Sequence, residues 1–192
     1  MVETSSEMLP LGTAAPSFAL PDPDGQMHSV DDAAGARALL VMFICNHCPF
    51  VKHVRQELAR LADDYMDRDV AVFAINSNNA ETHPGDSPAK MKEESSTWGY
   101  RFPYLVDADQ SVAKAYRAAC TPDFYLFDAD RALVYRGQLD GSRPGNSVPV
   151  DGSDLRAALD AVLAGEPVAE EQIPSVGCNI KWKPGNEPDY FG

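Results

Sequence analysis

The apolar run Ala38-Leu39-Leu40-Val41-Met42-Phe43-Ile44 leads directly into Cys45-Asn46-His47-Cys48-Pro49, and apolar residues then recur at Val51, Val54, Leu58, Leu61 and Tyr65. An unbroken run of that length is the pattern of a strand covered on both faces. The spacing by three and four that follows, with Lys52, Arg55, Glu57, Arg60 and Asp64 on the remaining faces, is that of an amphipathic helix. Pro49 stands in the first turn, where its missing N–H costs nothing. The fold must therefore hold a cysteine pair at the junction of a central strand and a helix N-terminus.

The rest of the chain supplies partners for that unit. Val70 to Ile75 reads as a second buried strand, and Ser87-Pro88 starts a helix that runs to about Trp98. Strand, helix, strand, helix implies parallel strands joined by a right-handed crossover. Pro103 to Asp107 is a short strand and Ser111 to Tyr116 a short helix. Asp123 to Phe127 and Ala132 to Tyr135 are two strands that pair antiparallel around the turn at Asp128-Ala129-Asp130-Arg131. Ser153 to Leu163 is a capped helix, and from Gly165 periodicity is lost. Before the central strand, prolines bracket a short strand at Ala15 to Pro23; Asp24-Gly25 turns the chain, and Met27 to Val30 returns as a hairpin. The expectation is one α/β domain over residues 1–192, with a core of about 11–164 and a C-terminal extension over 165–192.

Composition limits the functions open to such a domain. At 192 residues, 44% hydrophobic and 23% charged, the chain has ordinary globular values. Its formal net charge of -13 opposes sequence-independent attraction to nucleic acid or to anionic lipid. Residues 1–16 carry no Lys or Arg and lack the apolar core of a signal peptide, and no window approaches a membrane span. A soluble, cytoplasmic protein with no nucleic-acid or membrane partner is expected.

The four cysteines, Cys45, Cys48, Cys120 and Cys178, are too few and too unevenly spaced for a disulfide framework; a close pair in a reducing compartment points to catalysis or metal binding. At a helix start, unpaired N–H groups and the helix dipole favour a thiolate, so Cys45 is expected to attack and Cys48, one turn along, to resolve the mixed disulfide. Two inert buried thiols, or half of a zinc site, are the competing readings. Zinc needs two more ligands, which Cys120, Cys178, His47 or His53 would supply only by coincidence of the fold. No metal and no cofactor beyond the cysteines is expected. His47, between the two thiols, either tunes them as a partly cationic imidazole or is a plain loop residue. Lys52 and His53 read as helix-surface groups.

A second informative stretch, Cys120-Thr121-Pro122-Asp123-Phe124, precedes a hydrophobic strand. Together with the strand order, the CxxC and the tail Pro174-Ser175-Val176-Gly177-Cys178-Asn179-Ile180-Lys181-Trp182-Lys183, it resembles the peroxiredoxin-like, thioredoxin-domain proteins grouped with the alkyl hydroperoxide reductase and thiol-specific antioxidant family. The resemblance covers about Ala15 to Lys183. It implies a thioredoxin-like three-layer fold, with a mixed central sheet, flanking helices, an N-terminal β-hairpin and an irregular tail. It also implies a cis Thr121-Pro122 bond facing the CxxC, with Thr121 and Pro122 shaping a substrate groove.

Two departures bear on chemistry. Peroxiredoxins carry Pro-x-x-x-Thr/Ser-x-x-Cys, whereas Leu39 to Ile44 has neither the proline nor the hydroxyl. The strand also lacks the acid, and Cys45 the preceding Trp, of ordinary thioredoxins, so the proton relay for Cys48 falls to solvent or His47. Cys120, two residues before the proline, is either a buried structural thiol or an accessory redox partner of Cys178. The function expected is thiol-disulfide oxidoreduction on a protein or small-molecule disulfide, recycled by an external thiol reductant. The alternatives are an antioxidant peroxidase acting on hydroperoxides and a metal-binding module using Cys45, Cys48 and a nearby His.

Overall fold

A computed structural model describes residues 3–191. The central apolar run forms β4 (Ala38–Phe43), buried along its whole length. It follows β1 (Glu3–Ser5), β2 (Ala19–Pro21) and β3 (Met27–Ser29), of which β2 and β3 form the expected antiparallel hairpin. After β4 come α1 (Pro49–Met66), β5 (Val70–Asn76), α2 (Pro88–Trp98), β6 (Tyr104–Val106) and α3 (Ser111–Ala115). The chain continues through β7 (Cys120–Thr121), β8 (Asp123–Phe127), β9 (Leu133–Gly137), α4 (Ser153–Ala164) and β10 (Val176–Asn179).

Five strands build the main sheet in the order β6-β5-β4-β8-β9. β4 is central and parallel to β5, which is parallel to β6; β8 runs antiparallel to β4 and β9 antiparallel to β8. Alternation along each strand splits the core in two. Leu40, Met42, Val72, Ala74, Phe124 and Leu126 pack with α1 and α4, while Leu39, Val41, Phe43, Phe73, Ile75 and Tyr125 pack with α3 and the N-terminal segment. The three layers, the mixed sheet and the flanking helices are those the resemblance implied.

Two features were not expected. β1 and β10 join β7 in a second small sheet of order β1-β10-β7, so the tail is irregular except where β10 docks. Such short strands carry no periodicity of their own; pairing makes them strands. Glu57, placed by helical spacing among solvent-facing residues, is only 3% exposed. α4 covers that face of α1 and brings Arg156, whose guanidinium donates to Glu57 Oε1 at 2.7 and 2.9 Å.

Candidate active site

Helix α1 begins at Pro49 with Cys48 as its N-cap, so the helix terminus acts most directly on Cys48. Cys45 lies just past the end of β4, 2% exposed, and Cys48 is fully buried. The two thiols are near enough that each shifts the other's ionisation. Across from them β7 leads into a cis Thr121-Pro122 bond, as the resemblance implied. Thr121 touches both sulfurs: its Oγ1 lies 3.2 Å from Cys45 Sγ, and its carbonyl accepts from the Cys48 thiol at 3.3 Å.

These surroundings separate the two thiols. Burial pushes Cys45 well up, and the bond to Cys48 and the nearby Asp86 carboxylate push it further. Cys48 is lowered, first by the hydrogen bond from Cys45, then against burial by the Cys178 thiol and by the Val51 N–H in the first turn of α1. The same contact thus pushes the two thiols apart, Cys45 up and Cys48 down. The helix starts one residue after Cys48, which therefore lies nearest its positive end.

Asp86 is the functional residue that sequence reasoning missed. It lies in a 3-10 turn (Pro84–Asp86) within a polar loop, and nothing local marks it. Folded, it is 3% exposed. Its Oδ1 accepts the Asn46 N–H at 2.7 Å, and its Oδ2 meets His47 Nδ1 at 2.5 Å and the Asn78 amide at 2.9 Å. Burial raises this carboxyl, but those hydrogen bonds outweigh it and hold Asp86 below the usual carboxylate range. His47 thus faces a carboxylate and stacks on His83 with ring centroids 4.9 Å apart. His53, read as a surface group, is half-buried, and its Nε2 is enclosed.

Cys45 Sγ, a His47 ring nitrogen and an Asp86 oxygen lie within 4.8 Å of one another, close enough to be considered as metal ligands. The same carboxylate, held by the Asn46 N–H and the Asn78 amide, orients the His47 ring.

For Cys120 and Cys178 the strand register bears on the two readings left open by the sequence. Cys178 is directly opposite Thr121 and Asn179 opposite Cys120. Directly opposed residues share a face and neighbours alternate, so Cys178 and Cys120 point to opposite faces of the small sheet and do not form the accessory pair. Cys120 packs with its sulfur 3.7 Å from the Pro122 carbonyl oxygen, and burial and Asp123 raise its thiol. Cys178 Sγ instead lies 2.8 Å from Cys48 Sγ. The groove expected at Thr121 and Pro122 is correspondingly not open along β7, because β10 of the same chain pairs there.

A central mixed sheet, a thiol pair at the head of its first long helix and a cis-proline opposite define a thioredoxin-like redox protein. Residues 11–136 match the AhpC/TSA family, and the chain belongs to that family. It is 59% identical to an uncharacterized conserved protein from Geobacillus kaustophilus, whose crystal structure superposes with a TM-score of 0.94 over 96% of this chain and 98% of that one. It is 28% identical to thioredoxin-like protein YneN of Bacillus subtilis, over 61% of this chain and just under two thirds (65%) of that protein. It is 23% identical to thiol-disulfide oxidoreductase ResA of Bacillus subtilis, over 69% of this chain and 70% of that protein.

Proposed function

We propose that the protein is a thiol-disulfide oxidoreductase whose nucleophile is Cys45 and whose resolving thiol is Cys48. The observation that carries this reading is the cysteine pair at the start of α1, with Cys45 Sγ against the hydroxyl and Cys48 Sγ against the carbonyl of Thr121. The relatives named as a thioredoxin-like protein and a thiol-disulfide oxidoreductase support it.

Cys45, as thiolate, attacks one sulfur of a protein or small-molecule disulfide. A bond forms between Cys45 and that sulfur, and the other half leaves as a thiolate. Cys48 gives its proton to that leaving thiolate and attacks Cys45 Sγ, forming the Cys45–Cys48 disulfide and releasing the second half as a thiolate. An external thiol reductant restores the dithiol, which a reducing compartment such as the cytosol would maintain. The reaction uses no metal and no cofactor other than the cysteines, with Asp86 holding the His47 ring beside the pair. Cys45→Ser is expected to abolish dithiol-dependent disulfide reduction and Cys48→Ser to trap a mixed disulfide on Cys45. Full reductase activity in Cys45→Ser overturns the assignment.

Family membership and the Thr121 hydroxyl 3.2 Å from Cys45 Sγ favour a second reading, in which Cys45 reduces hydroperoxides and Cys48 condenses with the sulfenic acid. The run Leu39 to Ile44, which lacks the proline and hydroxyl of the peroxiredoxin pattern, weighs against it. Oxidation of Cys45 by hydrogen peroxide no faster than that of free cysteine removes it.

A further inference from the structure

The dithiol at α1 has a third sulfur in contact with it, and the tail is built to deliver it. β10 lies antiparallel to β7 with Cys178 opposite Thr121. The face of this ribbon that turns the Thr121 hydroxyl toward Cys45 therefore turns the Cys178 thiol toward Cys48, at 3.2 and 2.8 Å respectively. The approach is as close as backbone permits: a Cβ at Gly177 would sit 2.0 Å from the Thr121 carbonyl oxygen. Only glycine lets β10 seat at this depth.

We propose that Cys178 is the third member of a thiol relay, carrying the disulfide from Cys45–Cys48 to Cys48–Cys178. The proposal rests on the dithiol reading above. The Cys178 thiolate attacks Cys48 Sγ; the Cys48–Cys178 bond forms, the Cys45–Cys48 bond breaks, and Cys45 leaves as a thiolate that takes up the proton Cys178 gave up. No electron enters or leaves the protein. Cys45 is returned as a thiol, and the oxidised bond lies beneath a tail now tethered across the cis-proline.

The state in which the attack falls due also favours it. Burial raises the Cys178 thiol, and so does its hydrogen bond to Cys48. Once Cys48 is tied in a disulfide that second cause is gone, and Cys178 ionises more readily.

Peptide mapping under non-reducing conditions tests the relay. Trypsin places Cys45 and Cys48 together in residues 38–52, Cys178 in residues 157–181 and Cys120 in residues 118–131. The protein is oxidised with diamide, quenched with N-ethylmaleimide in acid and digested. The expected product joins 38–52 to 157–181, at higher yield in Cys45→Ser, where diamide removes two electrons and two protons directly from Cys48 and Cys178. A wild-type map with the Cys45–Cys48 disulfide and a fully alkylated 157–181 peptide, together with no cross-link in Cys45→Ser, overturns the relay and leaves the dithiol reading standing. A wild-type protein that forms no disulfide at all overturns both.

Discussion

Asp123 follows the cis-proline and is completely buried, its Oδ1 accepting from Ser6 Oγ at 2.9 Å and its Oδ2 from Tyr125 Oη at 3.0 Å. Burial outweighs these bonds and pushes its carboxyl from the ordinary 3.8 up to about 7. Between those values the unfolded chain has released the proton and the folded chain keeps it, so stability falls as pH rises, by about 1.4 kcal/mol per pH unit. The loss over the whole interval is about 4 kcal/mol, of which about 3 kcal/mol falls above pH 5. Asn at this position has no proton to retain and keeps an acceptor for Ser6 or Tyr125. Asp123→Asn should therefore gain on the wild type between about pH 5 and pH 8. With a urea slope of about 3 kcal/mol per molar for a chain of this size, the gain appears as a relative midpoint shift of about 1 M. Urea titrations of both proteins at the two pH values measure it, and the pairwise difference cancels every other titrating group. Midpoints that move in parallel would refute the claim that a dry carboxyl at Asp123 governs this part of the pH profile.

Further expectations concern the site and its supports. Asp86→Asn removes a charge that raises Cys45, so the pH at which Cys45 is half-alkylated by iodoacetamide in a Cys48→Ser background should fall; an unchanged or higher midpoint contradicts the electrostatics of the site. Arg156→Ala leaves the buried Glu57 without its main partner and should cost about 3 kcal/mol in chemical denaturation, and a loss under about 1 kcal/mol would mean Glu57 finds water instead. Gly177→Ala forces a Cβ into the Thr121 carbonyl, so β10 should lift and Cys48 should alkylate at least about tenfold faster with the main sheet intact, as read by far-UV circular dichroism; unchanged protection means the ribbon accommodates the methyl group.

Some features are legible in the chain because their cause is local. Leu39 to Phe43 must be covered on both faces, whatever covers them, and the spacing of Val51, Val54, Leu58, Leu61 and Tyr65 fits only a helix, so the CxxC at their junction could be placed before any contact was known. The same holds for Ser87-Pro88 at the start of α2 and for the Asp24-Gly25 hairpin. Cys120 and Cys178 show the limit: the sequence marks two thiols near the site, but which sulfur each meets depends on a one-residue register between β7 and β10, and register inverts the face a side chain occupies.

What the sequence determined by itself is thus the strand, the cysteine pair, the helix and the order of elements around them, since hydrophobic period and turn chemistry act over a few residues. Tertiary structure alone decided that Asp86 reaches His47, 39 residues away, that Arg156 makes a buried Glu57 tolerable, that the N-cap role belongs to Cys48, and that Cys178 lies on Cys48 rather than beside Cys120. Each of these depends on charge, hydrogen bonding or strand register between segments distant in sequence, and such energies exist only once the chain has closed on itself.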